Sequence, residues 1–421
     1  MTDSLSVNKN RIQARLQALA AIGKNAEGGI DRSFGSAADL AARAHVIAVL
    51  KNEIGAAVSI DPAANIWAGV NEHSPLPPIA VGSHHDTVLN GGMYDGALGV
   101  ILAIEVLQVV KETNYPLRHP AAMVSFTAEE PNPFNLSTLG SRLATGKLDP
   151  DKLLQIEDTV HHISLADALA KAGGSITNLT AARLQPGQLS AFIECHIEQG
   201  KRLDSREIPL AVVSHITGIY RETVHVCGEA NHAGTTLMND RHDALLTTSE
   251  FCLAFEKVLK AVNRDDVVGT IGQMELFPNS VNIIPGEASL TMEIRTPDQA
   301  VLSAILADLA KCVEEIETAR GVSIQRSVLL NQDSVALDDT IMAAMVREIE
   351  LMAEPCVTLA SMAGHDATHL ASITRSGMLF VRSINGKSHC PEENSRLQDI
   401  EKAGNVLLNT ILRLDKELDA E

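Results

Sequence analysis

Apolar residues recur along this chain with two different periods, and the change between them outlines its architecture. Over Asn8–Ala21, the residues Ile12, Leu16 and Leu19 fall on one side of a helical repeat, which predicts a helix. Ser36 suits the N-cap of a second helix over Ala37–Leu50. Ala56–Val70 predicts two short strands around the turn Asp61-Pro62. Apolar runs over Pro78–Ser83, Ala121–Thr127 and Leu189–His196 predict strands buried on both faces, and Gly96–Val110, Leu136–Ala144 and Ser164–Ala172 read as helices. Strands alternating with helices predict an α/β fold, a mostly parallel sheet covered on both sides.

The pattern changes near Ile208. Leu210–Val226 alternates in the manner of strands, a helix is expected over Asp240–Val262, strands over Val267–Glu275 and Ala288–Arg295, a helix over Pro297–Arg320 and a strand over Val322–Leu330. That β-α-β-β-α-β order predicts a small α+β domain of about 120 residues inserted into the first. The expected division is residues 1–209 and 331–421 as the two parts of a catalytic domain, with 210–330 as the insert. From Leu337 the first pattern resumes, and Ile400–Leu418 is expected to be a helix.

Composition narrows the function. The chain has 421 residues, 45% hydrophobic and only 3% aromatic, so its cores must be aliphatic. A formal net charge of -19 argues against nucleic acid and anionic membrane as partners. It leaves room for a small anionic substrate, because local cations set the field there. The six cysteines form no CxxC pair, no apolar run approaches the roughly 20 residues of a membrane span, and the N-terminal stretch lacks the apolar segment of a secretory signal; a cytoplasmic protein is expected.

The chemistry concentrates in Val81–Val100, VGSHHDTVLNGGMYDGALGV. Side chains two apart on a strand share a face, so His84 and Asp86 point together and His85 away. A carboxylate beside a ligating imidazole can fix its tautomer. Asp95 stands among glycines where a helix begins, as a shared metal ligand or as an N-cap. Glu129-Glu130 ends a buried strand, where two carboxylates repel unless a cation or a proton relieves them. His196 shares a strand face with Glu194 and Glu198, and His389 lies in a polar turn. Gln199 offers an amide to a substrate, and Gly364-His365-Asp366 makes a second polar knot. In the insert, NHAGTTLM carries His232, NSVNIIPG carries Asn282, and Arg295 at a strand end suits capture of a carboxylate.

Taken in order, GSHHDTVLNGGMYDG, AEE, LGSRLATG, HIEQG, NHAGTTLM, NIIPG, GHDA and NGKSH resemble the hydantoinase/carbamoylase branch of the M20 metallopeptidase-like amidohydrolases. The resemblance runs from about Gly28 to the C-terminus. It implies a catalytic α/β domain with an inserted lid or dimerisation domain, a homodimer formed through that insert, and two divalent metal ions, zinc or manganese, with cobalt or nickel as further options. It implies that His84, Asp95 and His196 hold one ion and Asp95, Glu130 and His389 the other. Asp86 would support His84, Glu129 would be the general base, and His232 would stabilise the oxyanion in the partner subunit's site. Asn282 and Arg295 would bind the substrate carboxylate, with Gln199 and Gly364 also facing substrate. The implied reaction is hydrolysis of the ureido C–N bond of N-carbamoyl-L-amino acids. Allantoate or β-ureidopropionate, an N-acyl-amino acid or peptide, and a non-catalytic metal-binding dimer are the alternatives. This chain departs from the branch pattern after the glutamate pair, where Pro131-Asn132-Pro133-Phe134 replaces a glycine, a small residue, Arg and Phe.

Overall fold

The computed structural model describes residues 5–71 and 73–418, which fall into two compact units. One comprises Met1–Ser214 and Ala336–Glu421, the other His215–Val335.

In the first unit one twisted sheet carries the fold. Its strands run in the spatial order Ala57–Ile60, Ile66–Val70, Ala121–Phe126, Ile79–His84, Ala191–Ile197, Ser376–Val381, Leu210–Ile216 and Val335–Ala336, and Val357–Ser361 also pairs with Leu210–Ile216. The four from Ala121–Phe126 to Ser376–Val381 are mutually parallel, and the strands flanking them are antiparallel. The parallel strands are buried at every position except Ala122, which is why their sequences are apolar runs rather than alternations.

Helix Ala97–Glu112 packs against this centre, and every residue from Ala97 to Val110 is buried. A helix that is apolar all round belongs inside a layer. Its one carboxylate within that buried stretch, Glu105, is fully buried and is held by Arg11 at 2.7 Å and Arg15 at 3.2 Å. Helices Lys9–Ala20 and Leu397–Glu417 add Ile12, Leu16, Leu19, Val406, Leu407 and Ile411 to the same core.

Most expected elements are present, with ends set by caps. Asn8, Ser36, Ser164, Asp243 and Asp298 each accept backbone N–H groups at a helix start. The helix expected from Leu136 begins only at Leu139. Pro131 and Pro133 supply no N–H, and Thr138 adopts a left-handed backbone at φ 49°, so the chain turns before it coils. The second difference is the strand Leu210–Ile216. It belongs to the large sheet, so the second unit starts at His215 and ends at Val335 rather than spanning 210–330. The alternation through Leu210–Val226 is two strands, separated at Thr217, each in its own sheet.

The second unit is a four-stranded antiparallel sheet in the order Ser323–Gln332, Gly218–Cys227, Glu287–Thr296, Val268–Phe277. Helices Ala244–Val262 and Gln299–Arg320 cover one face, burying Phe251, Phe255, Ile305 and Leu309 against Val224, Leu290 and Met292. Glu222 is buried here because Arg326 at 2.5 Å and the Tyr220 hydroxyl at 2.6 Å both donate to it.

Candidate metal centre

The C-terminal ends of parallel strands are where an α/β sheet gathers its functional loops. Strand Ile79–His84 ends at His84, Ala121–Phe126 leads to Glu129 and Glu130, and Ala191–Ile197 carries His196 near its end. His389 comes from the loop after Ser376–Val381, and Asp95 from the turn before helix Ala97–Glu112. Asp95 does not cap that helix with its side chain: Gly96 occupies the N-cap without a side-chain hydrogen bond, which frees the Asp95 carboxylate.

Asp95 uses its two oxygens separately. Oδ1 lies 3.1 Å from His196 Nε2 and 3.7 Å from His84 Nε2. Oδ2 lies 3.2 Å from His389 Nε2, and the same nitrogen is 3.3 Å from Glu130 Oε1. Two donor groups result, His84–Asp95–His196 and Asp95–Glu130–His389, each with its donor atoms within 4.8 Å of one another. His84 and His196 are 1% exposed and Asp95 4%, whereas the His389 side chain is 46% exposed and lies at the mouth.

The surrounding hydrogen bonds orient these donors. His84 Nδ1 faces the Asp86 carbonyl at 3.1 Å and the Asp86 carboxylate at 3.5 Å, so Nε2 is turned toward Asp95. His196 Nδ1 meets the Ile197 carbonyl at 2.9 Å, with the same consequence for its Nε2. A donated Nδ1–H leaves each imidazole with a lone pair aimed inward. Asp86 also accepts the backbone N–H of Glu129 at 3.2 Å and of Glu130 at 3.1 Å.

The field at this point favours a cation. No lysine or arginine among the described residues forms an ion pair with Asp95, Glu129 or Glu130. Burial works against ionising Asp95, but His196, His389 and His84 outweigh it and hold its carboxyl well below the usual range. Hydrogen bonds to Asp95 and Glu130 push His389 up to about 10. Burial, reinforced by Glu130, Asp366 and Asp86 against the attraction of His84, holds Glu129 well above the ordinary carboxylate range. Glu129 Oε2 stands 3.7 Å from His84 Nε2, beside the His84–Asp95–His196 group, and its chain neighbour Glu130 belongs to the other group. Buried imidazoles and carboxylates with a shared aspartate are a donor set suited to divalent zinc- or manganese-like ions.

Further residues support the donors, and two of them, Glu393 and Ser388, carry no clear signal in the sequence. Glu393 accepts the backbone N–H of Tyr94 at 2.7 Å and of Asp95 at 3.0 Å, tying the Asp95 turn to the His389 loop. Burial and the nearby Asp95 push Glu393 up to about 7. Ser388 donates to Asp95 Oδ2 at 2.9 Å. Asp366, buried, accepts from Ser141 at 2.5 Å, and the His365 ring lies 4.6 Å from that of His196. Glu393 has no motif of its own in the sequence, and its pairing with residues some 300 positions away is what reveals it.

Other assigned residues fall in different places. The amide of Gln199 donates to Asp95 Oδ2 at 2.8 Å, so it serves the donor set, while its buried Oε1 has no partner. Gly364 is exposed, and no atom lies within 4 Å of where its side chain would begin. The loop after Glu130 is pinned by Asn132, whose amide donates to Glu130 O at 3.1 Å and Leu136 O at 2.6 Å. In the second unit, His232 pairs with Ile283 in a short ribbon, and Ala233 N donates to Asn282 O at 3.1 Å, so His232 and Asn282 are together. That ribbon joins the sheet beside Gly228 and Gly286, next to Glu287. Arg295 sits on the same strand as Glu287 but at its other end, ~26 Å away at ~3.3 Å per residue. Its guanidinium contacts Glu293 at 2.7 Å.

Comparison with known proteins agrees with this geometry. Residues 80–413 match the family described as Peptidase family M20/M25/M40. The chain is 33% identical to the N-carbamoyl-L-amino acid amidohydrolase of Geobacillus stearothermophilus, over 97% of this chain and 99% of that one. It is 32% identical to the ureidoglycolate hydrolase of Arabidopsis thaliana, over 98% of this chain and 88% of the relative. A crystal structure of a hydantoinase/carbamoylase family amidase from Burkholderia ambifaria superimposes with a TM-score of 0.89 at 29% identity, covering 98% of both chains. The chain is a member of peptidase family M20/M25/M40 and, within it, of the hydantoinase/carbamoylase branch.

Proposed function

We propose that this protein is a two-metal amidohydrolase that cleaves the ureido C–N bond of N-carbamoyl-L-amino acids. The observation that carries the reading is the division of Asp95 between two donor groups, Oδ1 toward His196 and His84 and Oδ2 toward His389. His84, Asp95 and His196 would hold one divalent ion, and Asp95, Glu130 and His389 the other. Zinc or manganese fits the mixed imidazole and carboxylate donors, and cobalt or nickel binds similar sets. Bound there, such ions supply Lewis-acid polarisation of a carbonyl and a lowered pKa for water.

Glu129 is the proton carrier in this account. It stands beside His84 of the first donor group, next in the chain to Glu130 of the second, and burial keeps its proton affinity high enough to take a proton from water and return it to the leaving nitrogen. Asp86 holds His84 and the backbone of Glu129 and Glu130 in register. Gln199 and Gly364 face the substrate's side of the centre in this reading, with Gln199 also fixing Asp95.

Asn282 and Arg295 are assigned to the substrate carboxylate and His232 to the developing oxyanion. A small substrate does not span the ~26 Å between the ends of the strand that separates Arg295 from the His232–Asn282 ribbon. The account therefore divides these residues between two copies of the chain, in a homodimer formed through the second unit. Edge strands Ser323–Gln332 and Val268–Phe277, with exposed Val328, Leu329, Val268 and Met274, support pairing with a second copy. No helix of the described residues is long and apolar enough to cross a membrane. The six free cysteines support a reducing, cytoplasmic setting.

The test is hydrolysis by metal-loaded protein, read as ammonia release from N-carbamoyl-L-amino acids, ureidoglycolate, allantoate and β-ureidopropionate and as free amino acid release from N-acyl-amino acids and dipeptides. The account expects the carbamoyl compounds to give the highest kcat/KM and Glu129→Gln to lose about 10²-fold or more with metal retained. Preference for ureidoglycolate or allantoate, in line with the Arabidopsis relative, would move the substrate within the ureides. Preference for N-acyl compounds or dipeptides would contradict the reading.

A further inference from the structure

Beside the Glu129 loop, the first unit gathers basic groups that no acid balances. Arg142 and Lys147 lie at the end of helix Leu139–Ala144, joined by the Lys147 N–H to the Arg142 carbonyl at 2.8 Å. The Arg142 guanidinium reaches only the Ser137 carbonyl, at 3.5 Å, and the Lys147 ammonium only the Thr368 carbonyl, also at 3.5 Å. Neither forms an ion pair among the described residues. The Arg183 guanidinium packs against the same turn, where a side chain on Gly146 would collide with it.

His369 completes the group. Its Nε2 meets the Thr138 hydroxyl at 2.9 Å, while its buried Nδ1 has no partner. Leaving a buried polar atom unmatched costs free energy. Burial, then Lys147 and Arg142, hold His369 down at about 3, so the ring is neutral and its field is set by the two cations. Burial also lowers the pKa of both Arg142 and Lys147, with no carboxylate acting to raise either. Arg142 is half-buried and Lys147 exposed, and two such cations without an acid partner are unusual in a chain of net charge -19. A helix C-terminus favours cations by a few tenths of a kcal/mol up to about 1 kcal/mol, which does not account for the orphaned imidazole nitrogen.

The position matters. Thr138, the hydroxyl partner of His369, donates its backbone N–H to the Glu129 carbonyl at 2.8 Å. Ser141, on the Arg142 helix, donates to Asp366 at 2.5 Å, beside the metal donors. The cluster is thus two hydrogen bonds from the proposed base.

We propose that Arg142, Lys147 and His369 form an oxyanion-binding subsite flanking the metal centre, suited to a carboxylate or phosphate. A guanidinium, an ammonium and the His369 imidazole, in the tautomer that protonates Nδ1 and leaves Nε2 to accept from Thr138, together match the several acceptor lone pairs of such a group. The oxyanion has two sources: the second carboxylate of a dicarboxylic N-carbamoyl-amino acid, or a free anion that binds apart from substrate. The first source rests on the amidohydrolase reading above; the second does not.

The experiment pairs two measurements on metal-loaded protein, wild type and the Arg142→Gln/Lys147→Gln double variant, with Arg142→Lys as a conservative control for folding and rescue. The first is the ratio of kcat/KM for N-carbamoyl-L-glutamate to that for N-carbamoyl-L-alanine. A fall of about 10-fold or more in this ratio, carried by KM and restored toward wild type in Arg142→Lys, assigns the subsite to the substrate's second carboxylate. The second is calorimetric binding of inorganic phosphate, comparing variants so that any phosphate on the metals is common to both. Loss of a phosphate site in the double variant, with the ratio unchanged, assigns it to a free anion. An unchanged ratio together with unchanged phosphate binding overturns the proposal. Absence of turnover on both carbamoyl compounds would count against the amidohydrolase reading alone, and the phosphate comparison would still decide the subsite.

Discussion

The Asp86 carboxylate accepts the backbone N–H of Glu130 at 3.1 Å, and through that bond one strand end holds another. The same carboxylate accepts Glu129 N–H at 3.2 Å and stands 3.5 Å from His84 Nδ1. One side chain therefore orients a metal-facing imidazole and positions both glutamates. Asp86→Asn removes the charge and turns an N–H₂ toward backbone donors. Metal affinity is expected to fall 10–100-fold, the usual cost of removing a partner that orients a ligand. Competitive titration against a chromophoric chelator measures it; an unchanged affinity would remove Asp86 from this role.

Gly96 has a role that composition cannot show. Its φ is +64°, and a side chain there would begin 2.2 Å from the His84 ring. Its N–H also donates to His196 Nε2 at 3.2 Å. Gly96→Ala is expected to displace His84, costing about 1–3 kcal/mol of stability from overpacking and lowering metal affinity with it. Urea unfolding with and without metal separates the two effects. A variant with wild-type midpoint in both states would contradict this packing.

How much of this was legible in the sequence depends on the range of the interaction. The donors His84, Asp95, Glu130, His196 and His389 were readable because ordered motifs carry them, and the fold brings together the strand ends and loops on which they stand. The parallel strands were readable because burial on both faces leaves uninterrupted apolar runs. Local competition was harder. The Leu210–Val226 alternation did not reveal that Leu210–Ile216 joins the large sheet, because alternation reports facing, not partner. Gln199 reads as a substrate contact, and the structure adds its bond to Asp95, while Glu393, which has no reading of its own in the sequence, braces the Asp95 turn. Both depend on contacts between distant segments that no local pattern encodes.

His369 gives the fold a pH dependence with a definite sign. Its folded pKa is depressed to about 3 from an ordinary 6.5, first by burial and then by Lys147 and Arg142. A base depressed on folding binds protons more readily when unfolded. Its contribution is therefore complete above pH 6.5 and is lost as the pH falls toward 3. By pH 5.5 the loss is roughly 1.4 kcal/mol. Urea midpoints at pH 7.5 and 5.5 are expected to drop less in His369→Gln than in wild type. An equal drop in both would show that His369 titrates normally.

The central claim is that Asp95 is shared between two metal sites. Metal content per chain, measured by mass spectrometry after loading with zinc or manganese and desalting, tests it most directly. The account predicts about two ions in the wild type and about one in Glu130→Ala, whose change affects only the group on Oδ2. It predicts fewer than one in Asp95→Ala, because both groups lose a ligand. A wild type that binds a single ion, or an Asp95→Ala protein that keeps two, would contradict it.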